Sequence, residues 1–132
     1  MNAGRDILII DDDRDFTESV RIVLQSEGYQ VRAAPNAQEG LERIQQKVPD
    51  LIVLDVMMTT DTEGFDLAYK LNRDENFKNI PILMATSFPQ KMAEQGPDSF
   101  QHILGESWPV SRFLEKPLHP DVLLKSVKEL LP

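Results

Sequence analysis

Acidic side chains follow two apolar segments of the chain: Asp11, Asp12 and Asp13 come after Ile7-Leu8-Ile9-Ile10, and Asp55 comes after Leu51-Ile52-Val53-Leu54. A hydroxyl pair, Thr86-Ser87, closes a third apolar segment, and Lys116-Pro117 follows a short strand near Arg112 to Glu115. If these tips converge, carboxylates roughly 4 Å apart repel by about 4 kcal/mol per pair at an effective dielectric of about 20. A hard divalent cation bound through oxygen offsets that repulsion. Mg²⁺ suits a site with few carboxylates that keeps waters for an incoming phosphoryl group. Lys116 adds a second, fixed positive charge. Carboxylate, metal, hydroxyl and ammonium together can stabilise the dispersed negative charge of a transferring phosphoryl group, and one carboxylate can serve as its nucleophile.

Composition steers the chemistry toward the same groups. The chain has no cysteine, which excludes disulfides, thiolate metal sites and cysteine nucleophiles. Its two histidines, His102 and His119, leave little for imidazole-based schemes; both read as surface or loop residues, with His119 placed where it could cap the last helix. A length of 132 residues, 41% of them hydrophobic, suffices for one domain with a closed core. With 14 Lys+Arg against 22 Asp+Glu, the net charge of −8 repels a phosphate backbone, so no direct nucleic acid contact is expected of this domain. The opening Met1 to Asp6 lacks an apolar signal core, and no apolar run approaches the ~20 residues of a membrane span. The expectation is a soluble, cytoplasmic protein with no membrane contact.

The elements that must position these groups alternate in type. Ile7 to Ile10 reads as a strand buried on both faces, and Phe16, Val20, Val23 and Leu24 recur with helical spacing before Gly28, a left-handed stop. Tyr29, Val31 and Ala33 alternate as a short strand. Asn36 and Glu39 then form a capping-box-like start to a helix carrying Ala37, Leu41 and Ile44, with Pro49 beyond its end. Leu51 to Leu54 is a second doubly buried strand, and Leu67, Ala68 and Leu71 give one face of a helix over Gly64 to Arg73. Ile80 to Ala85 and Arg112 to Glu115 supply two more strands. Pro120 opens a final helix with Leu123, Val127, Leu130 and Leu131 on its buried side. Between Ser87 and Ser111, repeated Pro and Gly interrupt any sustained period, leaving room for a short helix around Phe100 to Leu104. Five strands joined by amphipathic helices imply an α/β fold, an open and mostly parallel sheet covered on both faces. The acids then stand at the strands' carboxyl ends, beside the point where strand order reverses.

In their order and spacing, Ile7-Leu8-Ile9-Ile10-Asp11-Asp12-Asp13, Leu54-Asp55-Val56-Met57-Met58, Gly64-Phe65, Met84-Ala85-Thr86-Ser87 and Phe113-Leu114-Glu115-Lys116-Pro117 resemble the receiver domain of two-component response regulators. The resemblance spans about Ile7 to Leu131 and implies one receiver domain over residues 5–132, doubly wound and flavodoxin-like, with sheet order 2-1-3-4-5. It implies that Asp55 accepts a phosphoryl group from a histidine kinase or phosphotransfer protein. Asp12 would hold Mg²⁺ (or Mn²⁺) directly and Asp11 largely through water, with the backbone carbonyl of Met57 completing the protein's share of the shell. Thr86 would be the switch hydroxyl, Lys116 the cation that bonds a phosphoryl oxygen, and Phe113 the aromatic that reports the switch on the partner face. Such a domain promotes its own phosphorylation and dephosphorylation but turns over no separate substrate. Its implied partners are a downstream protein or output domain, with room for a homodimer.

The chain departs from the family pattern where Thr59 replaces the usual proline and where Gly64 falls nine residues after Asp55. The interval from Thr86 to Lys116 is longer than usual, with residues 88–111 irregular. An alternative reading is therefore a receiver-like interaction module that is not phosphorylated. A phosphatase built on Asp11 and Asp13 is disfavoured by Asp15, and a calcium loop by Phe16 and Ile22 at its glycine and glutamate positions. Plainer roles compete at single positions. Asp13 or Asp15 can cap a helix, Thr86 can bond backbone, and Phe113 and Met57 can fill the core, while Trp108 can anchor the long segment.

Overall fold

The computed structural model describes residues 5–55, 63–86, 111–116 and 118–131, apart from the side chains of Phe65, Thr86, Phe113 and Glu115. Its elements are β1 (Asp6–Ile10), α1 (Arg14–Ser26), β2 (Gln30–Ala34), α2 (Ala37–Gln46), β3 (Leu51–Leu54), α3 (Glu63–Arg73), β4 (Ile82–Thr86), β5 (Arg112–Glu115) and α4 (Pro120–Leu130). All strand pairs are parallel, in the order β2-β1-β3-β4-β5. The order reverses between β1 and β3, so the carboxyl ends of these two strands meet at the centre of one sheet edge.

Strand alternation builds the two apolar layers. Leu8 and Ile10 of β1, Ile52 and Leu54 of β3, and Ile82 and Met84 of β4 face Ile44 of α2 and Leu67, Ala68 and Leu71 of α3. Their neighbours Ile7, Ile9, Leu51, Val53, Leu83 and Ala85 face Val20 and Leu24 of α1 and Leu123 and Val127 of α4. A central strand buried on both sides explains why β1 and β3 read as continuous apolar runs and not as alternating ones.

Helix ends follow local chemistry. Asp13 caps α1, its Oδ1 accepting the Phe16 N–H at 3.1 Å, and Asn36 caps α2, its Oδ1 accepting the Glu39 N–H at 2.8 Å. The reciprocal contact to Glu39 comes from the Asn36 side-chain amide, at 3.2 Å. Gly28 adopts φ 91°, and the Gly28 and Tyr29 N–H groups donate to Gln25 and Leu24, a Schellman ending. Tyr29 thus belongs to the helix exit and β2 starts one residue later. β4 likewise starts at Ile82, because the Ile80 N–H donates to Phe77 in a turn and Pro81 has no N–H to give. His119 occupies the N-cap of α4, but its side chain makes no capping hydrogen bond. Imidazole is a poor N-cap, and Pro120 sets the helix start through its fixed φ instead.

Two packing features hold the sheet in place. Asp6, 2% exposed at the start of β1, receives the Arg32 guanidinium of β2 at 2.6 Å (Nη2) and 3.0 Å (Nε). Arg32 also donates to the carbonyls of Arg43 and Lys47 at the end of α2. On the α2 side, Gly40 lies so close to β1 that a Cβ there would stand 2.6 Å from Ile10 Cδ1 and 3.0 Å from its Cγ1. Ile10 is fully buried and directly precedes Asp11. Gly40→Val should therefore push α2 off the sheet and cost about 1–3 kcal/mol by overpacking, read as a lower thermal midpoint. An unchanged midpoint would mean that Ile10 can rotate away freely.

Candidate functional site

The site forms where β1 and β3 end side by side. Ile10 pairs with Leu54, and the Asp55 N–H donates to the Ile10 carbonyl at 3.0 Å, which locks Asp55 beside the residue preceding Asp11. On its other side, the Asp11 N–H donates to Ala34 of β2. Asp11 and Asp55 are 4% and 5% exposed, whereas Asp12 is exposed. One carboxylate oxygen from each of Asp11, Asp12 and Asp55 lies within 4.8 Å of the others.

Lys116 enters from the end of β5. Its Nζ stands 2.8 Å from Asp11 Oδ2 and 3.6 Å from Asp55 Oδ2. Asp11 Oδ2 is held by this close ion pair, while Oδ1 accepts the Asp13 N–H at 2.8 Å. Among the described residues, the cluster sets three carboxylates against the Lys116 ammonium. Burial pushes the Asp11 carboxyl above the ordinary value of 3.8, opposed by Lys116 and the Asp13 N–H.

This donor set fits a hard cation. All the candidate ligand atoms are oxygens, and two of the three acids are almost fully buried. A raised carboxyl binds its proton more tightly in the folded chain than in the unfolded one. Stability without metal therefore falls as pH climbs through the interval above 3.8. Asp11→Asn should accordingly melt higher than the parent at neutral pH without divalent cation, and should lose the rise in midpoint that Mg²⁺ produces. A lower midpoint in metal-free buffer would contradict a net burial cost at Asp11.

Of the other expected site residues, only the backbone of Thr86 and Phe113 is described. Thr86 ends β4 opposite Glu115, and Phe113 pairs with Met84 inside the sheet; their side chains, together with Met57, His102 and Trp108, lie outside the described residues. One group missed from the sequence is Phe16, whose helical spacing marked it only as an apolar position. Its ring centroid lies 4.2 Å from Lys116 Nζ. Among the described residues, no helix is long and apolar enough to cross a membrane.

Comparison with known proteins identifies the family. The family model described as response regulator receiver domain matches residues 7–128. The chain is 34% identical over 129 residues to the phosphate regulon transcriptional regulatory protein PhoB of Pseudomonas aeruginosa, covering 98% of this chain and 52% of that protein. It is 36% identical over 126 residues to the DNA-binding dual master transcriptional regulator RpaA of Synechocystis, covering 95% and 48%. The chain thus spans about half the length of these curated relatives. The crystal structure of the Vibrio cholerae chemotaxis protein CheY4 superposes with a TM-score of 0.81 at 30% identity, covering 97% of this chain and 99% of that one. Receiver domains are signalling domains, and they bind Mg²⁺ at an acidic aspartate cluster. By its doubly wound sheet, its acidic switch point and its sequence, the chain belongs to the response regulator receiver domain family, whose role is phosphoacceptor signalling.

Proposed function

We propose that Asp55 is the phosphoacceptor, that Asp11, Asp12 and the Met57 carbonyl hold Mg²⁺ or Mn²⁺, and that Lys116 and Thr86 take the phosphoryl oxygens. The observation that carries this reading is the meeting of the Asp11, Asp12 and Asp55 carboxylates within 4.8 Å, with Lys116 against two of them. When bound, the metal supplies positive charge that offsets the donor's phosphoryl oxygens. The Asp55 carboxylate oxygen attacks phosphorus, an O–P bond forms, and the donor's bond to phosphorus breaks with its electron pair leaving on the donor. The ionised carboxylate has no proton to lose in this step. Water later attacks the same phosphorus, freeing inorganic phosphate and restoring the carboxylate, so the domain turns over no separate substrate.

The new phosphoryl group adds about −1.5 to −2 of charge for an ordinary phosphoresidue. That charge draws the Lys116 ammonium from Asp11 toward Asp55 and brings Thr86 inward, and Phe113 relays the change to the partner face. The donor is a histidine kinase or phosphotransfer protein, and the reader is a downstream protein, an output domain or a second copy of the domain. With a net charge of −8, the domain itself makes no direct nucleic acid contact.

Acetyl phosphate with Mg²⁺ tests the reading. The expected result is a gain of one phosphoryl group by intact mass, abolished by a chelator. A folded protein that gains none would favour the interaction module that works without phosphate.

A further inference from the structure

We infer that the Phe16 ring is a positioning group that holds the Lys116 ammonium over the acidic cluster, between Asp11 and Asp55. Its kinetic consequence rests on the function proposed above, whereas its geometry does not. A lysine carries a compact charge on a flexible four-carbon stem, so two carboxylates on one side do not by themselves fix where the charge sits. Here the ammonium has a third neighbour. The Phe16 centroid is 4.2 Å from Nζ, inside the distance at which the negative face of an aromatic ring attracts a cation. The Lys116 side chain is 17% exposed, so water screens the contact only in part.

The acidic run itself fixes the ring. Asp13 accepts the Phe16 N–H at the first turn of α1, and Phe16 packs against the layer formed by Val20, Leu123 and their neighbours. One segment therefore supplies both a carboxylate that pulls the ammonium inward, Asp11, and the ring that keeps it there. When a metal ion competes for Asp11 and Asp55, the ring retains the ammonium within reach of the incoming phosphoryl oxygens, where water would otherwise draw it out.

Because Phe16 also packs against the core, truncation alone would confuse packing with positioning. Incorporating mono-, di- and trifluorinated phenylalanine at position 16 weakens the ring's negative face stepwise while keeping its shape. The rate of phosphoryl uptake from acetyl phosphate at saturating Mg²⁺ should fall along this series by about fivefold in all, with an unchanged far-UV circular dichroism spectrum. Independently of metal and phosphate, NMR should show the Lys116 ε-methylene protons shifted upfield by the ring in the parent and in Phe16→Tyr, and not in Phe16→Leu. A missing shift in the parent, or a flat rate across the fluorinated series, overturns the inference. If the parent takes up no phosphoryl group, the proposed function fails and the methylene shift alone decides the position of the ammonium.

Discussion

Asp55→Asn should take up no phosphoryl group above the background of donor hydrolysis, and should fold like the parent. The substitution exchanges an anionic oxygen for an amide oxygen of almost the same size, so the nucleophile disappears while the packing at the end of β3 stays. The backbone bond from the Asp55 N–H to Ile10 is untouched, and Lys116 keeps its closer partner, Asp11, at 2.8 Å. Removing one of three clustered carboxylates also lowers their mutual repulsion, so the thermal midpoint without metal should match or exceed the parent's. Mass spectrometry after incubation with acetyl phosphate and Mg²⁺ reads the first effect, and circular dichroism melting reads the second. Uptake by the variant at more than about a tenth of the parent's rate, roughly 1.4 kcal/mol or less of lost barrier stabilisation, would point to Asp11 or Asp12 as the acceptor.

Arg32→Met should lower stability by about 3 kcal/mol, which would shift the midpoint by roughly 10 °C for a chain of this size. The loss arises at the far end of the sheet from the acidic cluster. Asp6 is 2% exposed, and the guanidinium is its close cationic partner, so the variant buries a carboxylate without that charge. Two carbonyls at the end of α2, those of Arg43 and Lys47, lose the guanidinium as a donor as well, and the Arg43 carbonyl keeps the Lys47 N–H. The figure sits at the low end for broken buried pairs because the arginine side chain is 25% exposed. Adding Asp6→Asn to Arg32→Met should recover part of the loss by removing the stranded charge. Chemical denaturation of the four proteins of this cycle checks it; additivity of the two changes would show that the pair contributes only packing.

How much was legible follows from which signals are local. The doubly buried strands β1 and β3, the caps at Asp13 and Asn36, and the turn at Gly28 are written in adjacent residues, and each formed where its local chemistry places it. The convergence of Asp11, Asp55 and Lys116 was legible because parallel strands with helical crossovers bring their carboxyl ends together. The Asp6–Arg32 pair and the approach of Gly40 to Ile10 were not legible, since both depend on register and interlayer distance between segments far apart in the chain. Phe16 was hidden for a related reason. Its spacing fits the apolar stripe of α1, and nothing local tells that its ring meets a lysine from β5. His119 shows the opposite error, a position that suits a cap filled by a side chain that does not make one.

The central claim is that one carboxylate at the junction of β1 and β3 captures phosphorus, and that it belongs to Asp55. Borohydride converts an aspartyl phosphate to homoserine and leaves free aspartate unchanged, so treating the acetyl phosphate-labelled protein and sequencing its peptides by mass spectrometry locates the acceptor. Homoserine is expected at position 55 only, and only when Mg²⁺ was present during labelling. Homoserine at position 11 or 12, or none at any position in a protein that remains folded, would contradict it.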